Sequence, residues 1–383
     1  MKKSVSVVKC SGYDSAEQAV FTALDNIGGI SNFVKKGDKV LIKPNFVSKK
    51  NPSDAVTTHP AILRAVIKAA ESAGGIVTVA ESPGGAYNAG LLKSLYSVCG
   101  ANEAAEGTGA VLNYDTSFCE IHYPKGKTLK SFPIIKPVCD ADVIISLPKL
   151  KTHAMTDYTG AVKNLYGVIP GTYKAELHFR LNEKKAFCSM LLDLCECVKP
   201  TLTVMDAVWG MEGNGPTAGR NRKIGLVMAS ADPYALDLVC THLIGYRPDE
   251  AETVKQACER GLSPSNIKDV NILGEDIEKH VMKDFKKPDT HFDLLKLLPI
   301  PAALRAAITS MISAKPEIMY DKCIGCGECF RCCPPKAISM KEGKPEIDKK
   351  ACIKCFCCQE LCPKHAVSIK RSIMNRIMLR LSK

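Results

Sequence analysis

The stretch CIGCGECFRCCPPKAI, residues 323–338, returns as CIKCFCCQELCPKHAV, residues 352–367. Cys323, Cys326, Cys329 and Cys333 are spaced three, three and four apart, and Pro334 follows. Cys352, Cys355, Cys358 and Cys362 repeat that spacing before Pro363, at an offset of 29 residues. Ile324 and Ile353, Ala337 and Ala366, and Ile338 and Val367 correspond as well, so the region is an internal duplication. Of the 19 cysteines, ten lie between Cys323 and Cys362, and the other nine are scattered from Cys10 to Cys258. Lys9 interrupts the N-terminal apolar stretch too early for a secretory leader, which places the chain in the cytoplasm. In that compartment a disulfide framework explains so dense a cluster poorly, and metal binding explains it well.

Three thiolates in tight turns reach three irons of one cubane, and a fourth ligand comes from elsewhere. A four-cysteine zinc site has no need of a triple run followed by Cys-Pro, still less of two such runs. The region resembles the bacterial 2×(4Fe-4S) ferredoxins over roughly 55 residues, with all eight ligands and both prolines in place. The resemblance implies two 4Fe-4S clusters in a small α+β domain and crossed ligation, in which the cysteine before proline serves the other cluster. Cys323, Cys326, Cys329 and Cys362 then hold one cluster, and Cys352, Cys355, Cys358 and Cys333 the other. Ile338 and Val367 are expected to shield the sulfurs. Cys332 and Cys357 fall outside the ligand spacing and read as small hydrophobic filler.

Upstream, residues 1–285 alternate β-branched runs with helical patterns. Val5–Val8, KVLI at 39–42, IVTVA at 76–80, VIISL at 143–147, LTVM at 202–205 and IGLVM at 224–228 read as strands. A helix opening at His59-Pro60 separates the second from the third, and another starts at Pro233. Strands buried on both faces and separated by helices predict an α/β domain, a mostly parallel sheet with flanking helices. Residues 286–315, with Pro299 and Pro301 between apolar pieces, read as a connector packed on the α/β domain or as an in-plane membrane contact. Residues 316–370 form the dicluster domain, and 371–383 a basic tail with Ile373, Ile377 and Leu381 at helical spacing. That tail is expected to dock on the protein, an anionic membrane surface or an acidic partner.

In open parallel sheets, ligands bind beyond the carboxyl ends of the strands. The polar residues there are Lys43; Glu81 with Ser82 to Gly85; Lys149, Lys151 and His153 behind Pro148; Lys163; and Asp206. These seven charged or titratable residues, Lys43, Glu81, Lys149, Lys151, His153, Lys163 and Asp206, are the candidate site. Lysines gathered at one sheet edge can hold a phosphate or carboxylate as point charges, although a solvated basic loop has the same composition. Ser82 to Gly85 could cradle an anion on free backbone N–H groups, and Asp232-Pro233 reads as a helix cap. KPN at 43–45, ESPGG at 81–85, LPKLKTH at 147–153, TGAVKN at 159–164, MEGNGP at 211–216 and ASADPYALD at 229–237 resemble the blocks of a family known as domain of unknown function 362. That resemblance implies fusion to a ferredoxin module and brings no reaction with it. The scattered cysteines, Cys119 and Cys139 among them, are expected to be buried small hydrophobes.

The 383 residues are 46% hydrophobic and 24% charged, as in an ordinary globular protein. No apolar run reaches the length of a membrane span, which leaves only a peripheral membrane contact. The formal charge of +12 is spread along the chain, and no block is dense enough for a nucleic-acid arm. The sequence therefore reads as an iron–sulfur electron-transfer protein that meets a redox partner or a ligand on the α/β domain. An oxidoreductase acting on an anionic small molecule, and a protein whose clusters are structural or serve iron–sulfur assembly, are the alternatives.

Overall fold

The computed structural model describes residues 3–290 and 314–370. The amphipathic tail and all but the ends of the connector lie outside the described residues.

Ten strands make the main sheet: β1 (Ser4–Lys9), β2 (Lys39–Pro44), β3 (Ile76–Val79), β4 (Val111–Leu112), β7 (Val143–Leu147), β8 (Lys149–His153), β9 (Asp157–Thr159), β10 (Leu202–Glu212), β11 (Arg220–Ser230) and β12 (Asn271–Gly274). The remaining pair before residue 290, β5 (Phe118–His122) and β6 (Ser131–Ile135), forms a separate hairpin. The order is β12-β1-β11-β10-β7-β2-β3-β4, with β8 beside β10 and β9 beside β8. From β10 through β7, β2 and β3 to β4 every pairing is parallel; β11 runs antiparallel to both its neighbours. The sheet is thus mostly parallel, with one long antiparallel insertion.

Helices cover both faces. α1 (Ala16–Asn26), α2 (Pro60–Ser72), α3 (Ala89–Val98) and α4 (Ala101–Ala105) pack on one face. α2 buries Ile62, Leu63, Val66 and Ile67 against Val40, Ile42, Val77 and Val79. Each such side chain contributes about 1.5–3 kcal/mol on leaving water. After α5 (Lys136–Cys139), the other face carries α6 (Ala161–Asn164), α7 (Tyr173–Arg180), α8 (Lys184–Val198), α9 (Pro233–Leu243) and α10 (Glu252–Glu259). Asp232 caps α9, its carboxylate accepting the Ala235 N–H at 2.7 Å.

Two strands depart from the sequence expectation. Lys149–His153 is not a loop but β8, wholly buried, because Pro148 only kinks the chain between two strands that both pair with β10. The Pro148 carbonyl keeps the ladder by accepting the Asp206 N–H at 2.9 Å. β10 likewise runs on to Glu212, so Asp206 sits mid-strand and not in a turn.

The small domain pairs β13 (Lys315–Ile318) with β16 (Val367–Lys370) and β14 (Ile338–Lys341) with β15 (Lys344–Ile347). β13 and β15 both read KPEI, which extends the duplication beyond the cysteines. One-turn helices α11 (Glu328–Arg331) and α12 (Cys357–Glu360) follow the triple-cysteine turns. Its apolar core is Ile318, Ile338, Ala366 and Val367 packed on Cys329, Cys358 and Cys362. The domain sits on the α/β unit through Thr217 Oγ1 to the Glu360 carbonyl (3.0 Å), Gln359 Nε2 to the Asn214 carbonyl (2.9 Å) and Lys50 Nζ against His365 Nε2 (3.0 Å).

Candidate functional site

The eight duplicated cysteines fall into two sets. Cys323, Cys326, Cys329 and Cys362 line one cavity, beneath Ile318 and Val367. Cys333, Cys352, Cys355 and Cys358 line another, beneath Ile338 and Ile347. The last cysteine of each repeat faces the first three of the other, and each set surrounds a space in place of meeting at a point. That is the donor chemistry and arrangement a cubane needs, and backbone N–H groups already point at the sulfurs: Ala337 to Cys333 and Ala366 to Cys362, both at 3.2 Å. Such bonds stabilise thiolate ligands.

A larger cavity of about 130 Å³ lies between the two domains. Its floor comes from strand ends and α6 of the α/β unit and its roof from α11 and α12 of the small domain. Lys43, Glu81, Lys151, His153 and Lys163 all line it. Lys149 and Asp206 do not.

Lys43 and Glu81 form a buried pair at 2.8 Å. Glu81 also accepts from Phe46 N–H and Ser82 N–H, both at 2.9 Å, and Lys43 donates to the Pro44 carbonyl at 2.8 Å. Both charges are thus spoken for, and the pair props the floor. Gly167 presses against it: a Cβ there would lie 2.2 Å from Glu81 Oε1 and 2.4 Å from Lys43 Nζ. Gly167→Ala should therefore split the pair and destabilise the fold by about 3–5 kcal/mol, the usual cost of breaking a buried ion pair, read as a lowered denaturant midpoint.

Lys151 donates to Asn45 Oδ1 and the Val56 carbonyl, both at 2.7 Å, and has no carboxylate in contact among the described residues. Burial pulls it down to about 7. Lys163 is more exceptional. It lies over the rings of Tyr166 (5.2 Å) and Phe187 (5.5 Å), and no hydrogen bond or ion pair holds its Nζ among the described residues. Burial lowers its pKa too, partly offset by Glu360. Asp237 holds α6, which carries Lys163, by accepting from Ala161 N–H (2.6 Å), Val162 N–H (3.0 Å) and Tyr158 Oη (2.9 Å). Burial raises its carboxyl to about 6 against those three donors.

His153 accepts the Met155 and Thr156 N–H groups at Nδ1 (3.0 and 3.3 Å), so its proton sits on Nε2. That nitrogen is buried without a hydrogen-bond partner. Glu360 Oε1 stands 3.8 Å away, too far for a hydrogen bond. Burial holds His153 near 4 and His178 near 3, so both rings are neutral at pH 7. For Glu360, burial favours the neutral acid, but the His153 contact and Lys163 outweigh it and keep the carboxyl at about 2.

Sequence reasoning missed Lys174, His178, Arg331 and Glu360. Lys174 and His178 are four apart on α7 and so share a face, a signal that was present. Lys174 Nζ donates to the Ser82 carbonyl (2.7 Å), Ser82 Oγ (2.9 Å) and the Pro83 carbonyl (3.3 Å), pinning the loop after β3. Within that loop the Ser82 N–H goes to the Gly167 carbonyl and the Gly84 N–H to the Val47 carbonyl, so these two amides are committed and not free to cradle an anion. Cys332 and Cys357, expected as filler, instead line the cavity roof, because the turns that aim their neighbours at the cradles aim them outward.

Lys149 and Asp206 make a separate buried pair at 2.8 Å. Tyr13 joins it through Lys149 Nζ to Tyr13 Oη at 2.8 Å, and His59 through its N–H to Asp206 at 3.0 Å. The Tyr13 and His59 rings stack at 3.5 Å. Alternation along β8 turns Lys149 and Lys151 to the same side, but the kinked pairing with β10 parts them. Lys149, Asp206 and the Tyr13 hydroxyl all find partners within this second cluster, which ties the turn at Tyr13–Ser15, the start of α2 and the sheet together. Cys119 and Cys139 also depart from expectation: Cys119 is half-buried on β5 and Cys139 exposed at the end of α5, so neither is a core residue.

Residues 315–363 match a 4Fe-4S dicluster domain, and residues 40–242 match the family described as domain of unknown function (DUF362). A thylakoid-associated protein of Synechocystis sp. (strain ATCC 27184 / PCC 6803 / Kazusa) is 34% identical over 274 residues, covering 69% of this chain and 82% of that one. Among solved structures, the lactate racemase apoprotein from Thermoanaerobacterium thermosaccharolyticum gives a TM-score of 0.40 at 14% identity, over 63% of this chain and 57% of that one. A protein from Thermotoga maritima gives 0.35 at 10% identity, over 66% and 60%. Both structures are too distant to inform the site. The chain belongs to the domain-of-unknown-function 362 family and binds 4Fe-4S iron–sulfur through a ferredoxin-type domain that follows it.

Proposed function

We propose that this protein is an electron-transfer oxidoreductase that carries two 4Fe-4S clusters and acts on an anionic small molecule in the interdomain cavity. When bound, the clusters supply single electrons at potentials set by their surroundings. The observation that carries the reading is Lys163, a buried ammonium without a hydrogen-bond partner among the described residues, under a roof whose Cys357 adjoins the cradle cysteine Cys358. A buried charge left unpaired is costly, so an anion from solution is its natural complement.

The residues divide the work. Lys163 and Lys151 attract a carboxylate or phosphate as point charges. His153, neutral and protonated at Nε2, offers one directed donor to it. Leu361, Val47 and the Tyr166 ring keep water away, which strengthens each of these contacts. Glu360, ionised, faces the same space and sets a limit on how much negative charge the ligand can bring near α12. The thylakoid association of the Synechocystis relative supports no more than a peripheral membrane contact here; no described helix is long and apolar enough to cross a membrane.

Mass spectrometry of small molecules retained by anaerobically purified protein tests the reading. An anionic compound near one per chain, which reoxidises the dithionite-reduced protein faster than buffer alone, is the expected result. Affinity for it should fall about tenfold as pH rises through 7, the loss of one charge-assisted contact. The sign follows from Lys151, charged below about 7 and neutral above, so the anion loses a counter-charge on the alkaline side. Titration calorimetry across pH 6–8.5 checks this, and Lys151→Met should flatten the profile.

A further inference from the structure

The two cysteine cradles differ in what surrounds them. In the cradle of Cys333, Cys352, Cys355 and Cys358, Cys355 and Cys358 are buried, and Cys357, next to Cys358 in the chain, lines the interdomain cavity. In the other, Cys329 and Cys362 are buried as well, but Cys326 is exposed to solvent, as no cysteine of the first cradle is. The segment that carries Cys326 also leaves Tyr320, Ile324 and Phe330 53%, 61% and 46% exposed. Ile324 and Lys364 both line that cradle. Lys344 Nζ donates to the Cys323 carbonyl at 2.9 Å, and Lys322 stands exposed one residue before the first ligand. Of the acids nearby, Glu328 is neutralised by Arg331 and Glu346 by Lys341. Asp321 and Glu342 remain against Lys322, Lys344 and Lys364.

We propose that this face is the docking surface for an acidic one-electron carrier protein. The apolar side chains supply the dry centre of a small interface, and the lysine rim selects an acidic partner and speeds its approach. One electron leaves the reduced carrier, which is oxidised by one equivalent, and enters the group held by Cys323, Cys326, Cys329 and Cys362; no bond is made or broken. The cradle on the cavity side, none of whose cysteines is exposed, is then the exit toward the ligand. The inference rests on the two-cluster reading and is independent of which ligand the cavity takes.

The test uses the holoprotein and a reduced, acidic 2Fe-2S ferredoxin as the carrier. Two variants shift net charge equally: K322E/K364E on the proposed face, and K125E/K127E on the distant, exposed β5–β6 turn. Iron content and electron paramagnetic resonance are read first. About eight irons in both variants means that the clusters are intact, whereas about four in the wild type would overturn the two-cluster reading instead. At low salt, K322E/K364E should accept electrons from the ferredoxin at least tenfold more slowly, with a flattened salt dependence and weaker ferredoxin binding by calorimetry. K125E/K127E should match the wild type, and all three should react alike with dithionite. Equal rates and binding in both variants, or equal slowing of both, would overturn the proposal.

Discussion

Replacing Cys362 by alanine should remove iron from the cradle whose other three cysteines, Cys323, Cys326 and Cys329, lie 33 to 39 residues upstream. Iron should drop from about eight to about four per chain, the content of one cubane. The surviving resonance signal should be that of the set Cys333, Cys352, Cys355 and Cys358. Cys333→Ala should do the converse. The basis is geometric: Cys362 lines the cavity of Cys323, Cys326 and Cys329, and Cys333 that of Cys352, Cys355 and Cys358. If ligation were instead sequential, Cys362→Ala would abolish the signal that Cys352→Ala abolishes. Comparing the residual spectra of Cys323→Ala, Cys352→Ala and Cys362→Ala decides between the two. Stability should fall in all of them, since a domain this small leans on its inorganic core, and Cys323, Cys329, Cys333, Cys358 and Cys362 pack with Ile318, Ile338 and Val367.

Lys163→Met should have effects of opposite sign on binding and folding. Affinity for the cavity's anion should fall 100-fold or more, about 3 kcal/mol, the upper range for a charge-assisted contact. The empty protein should become more stable, by about 1–3 kcal/mol, because methionine fills similar volume without the cost of burying an unpaired charge. Calorimetric titration and a denaturant melt on the same preparation check both. A structural lysine would give the reverse: reduced stability and unchanged binding. Lys174 supplies that contrast, since its ammonium serves the Ser82, Pro83 and Ile169 carbonyls and its loss should chiefly destabilise.

The cysteine repeat was legible because cluster ligation imposes fixed spacing, which no other pressure on a sequence imitates. The parallel strands were legible because burial on both faces forces apolar runs such as VIISL and KVLI. Lys149–His153 was not, since a strand rich in lysine and histidine looks like a loop until its neighbours are known. It is buried because β10 runs far past its apolar start and offers an edge on which polar side chains find partners. For the same reason seven candidates reached by one rule separate into two clusters: only tertiary pairing decides that Asp206 faces Lys149 and Glu81 faces Lys43. Glu360 and Cys357 were hidden differently. They belong to the cavity through domain docking, and nothing in the local pattern of a ferredoxin repeat tells which surface of α12 will be covered.

That shared helix has a thermodynamic consequence. α12 is at once part of the roof of the interdomain cavity and, through Cys358, a wall of the neighbouring cradle. Negative charge arriving on either side is felt on the other, and the coupling is reciprocal. If, as proposed, the cavity takes an anion and the cradle a cluster, an occupied cavity makes the cradle a poorer electron acceptor and a reduced cradle weakens the anion's binding, unless a proton enters with the electron. Each tenfold preference for the oxidised form corresponds to about 59 mV of driving force withheld while the cavity is full. On that reading occupancy and redox state are linked through α12, the anion being held more tightly by the oxidised protein than by the reduced one.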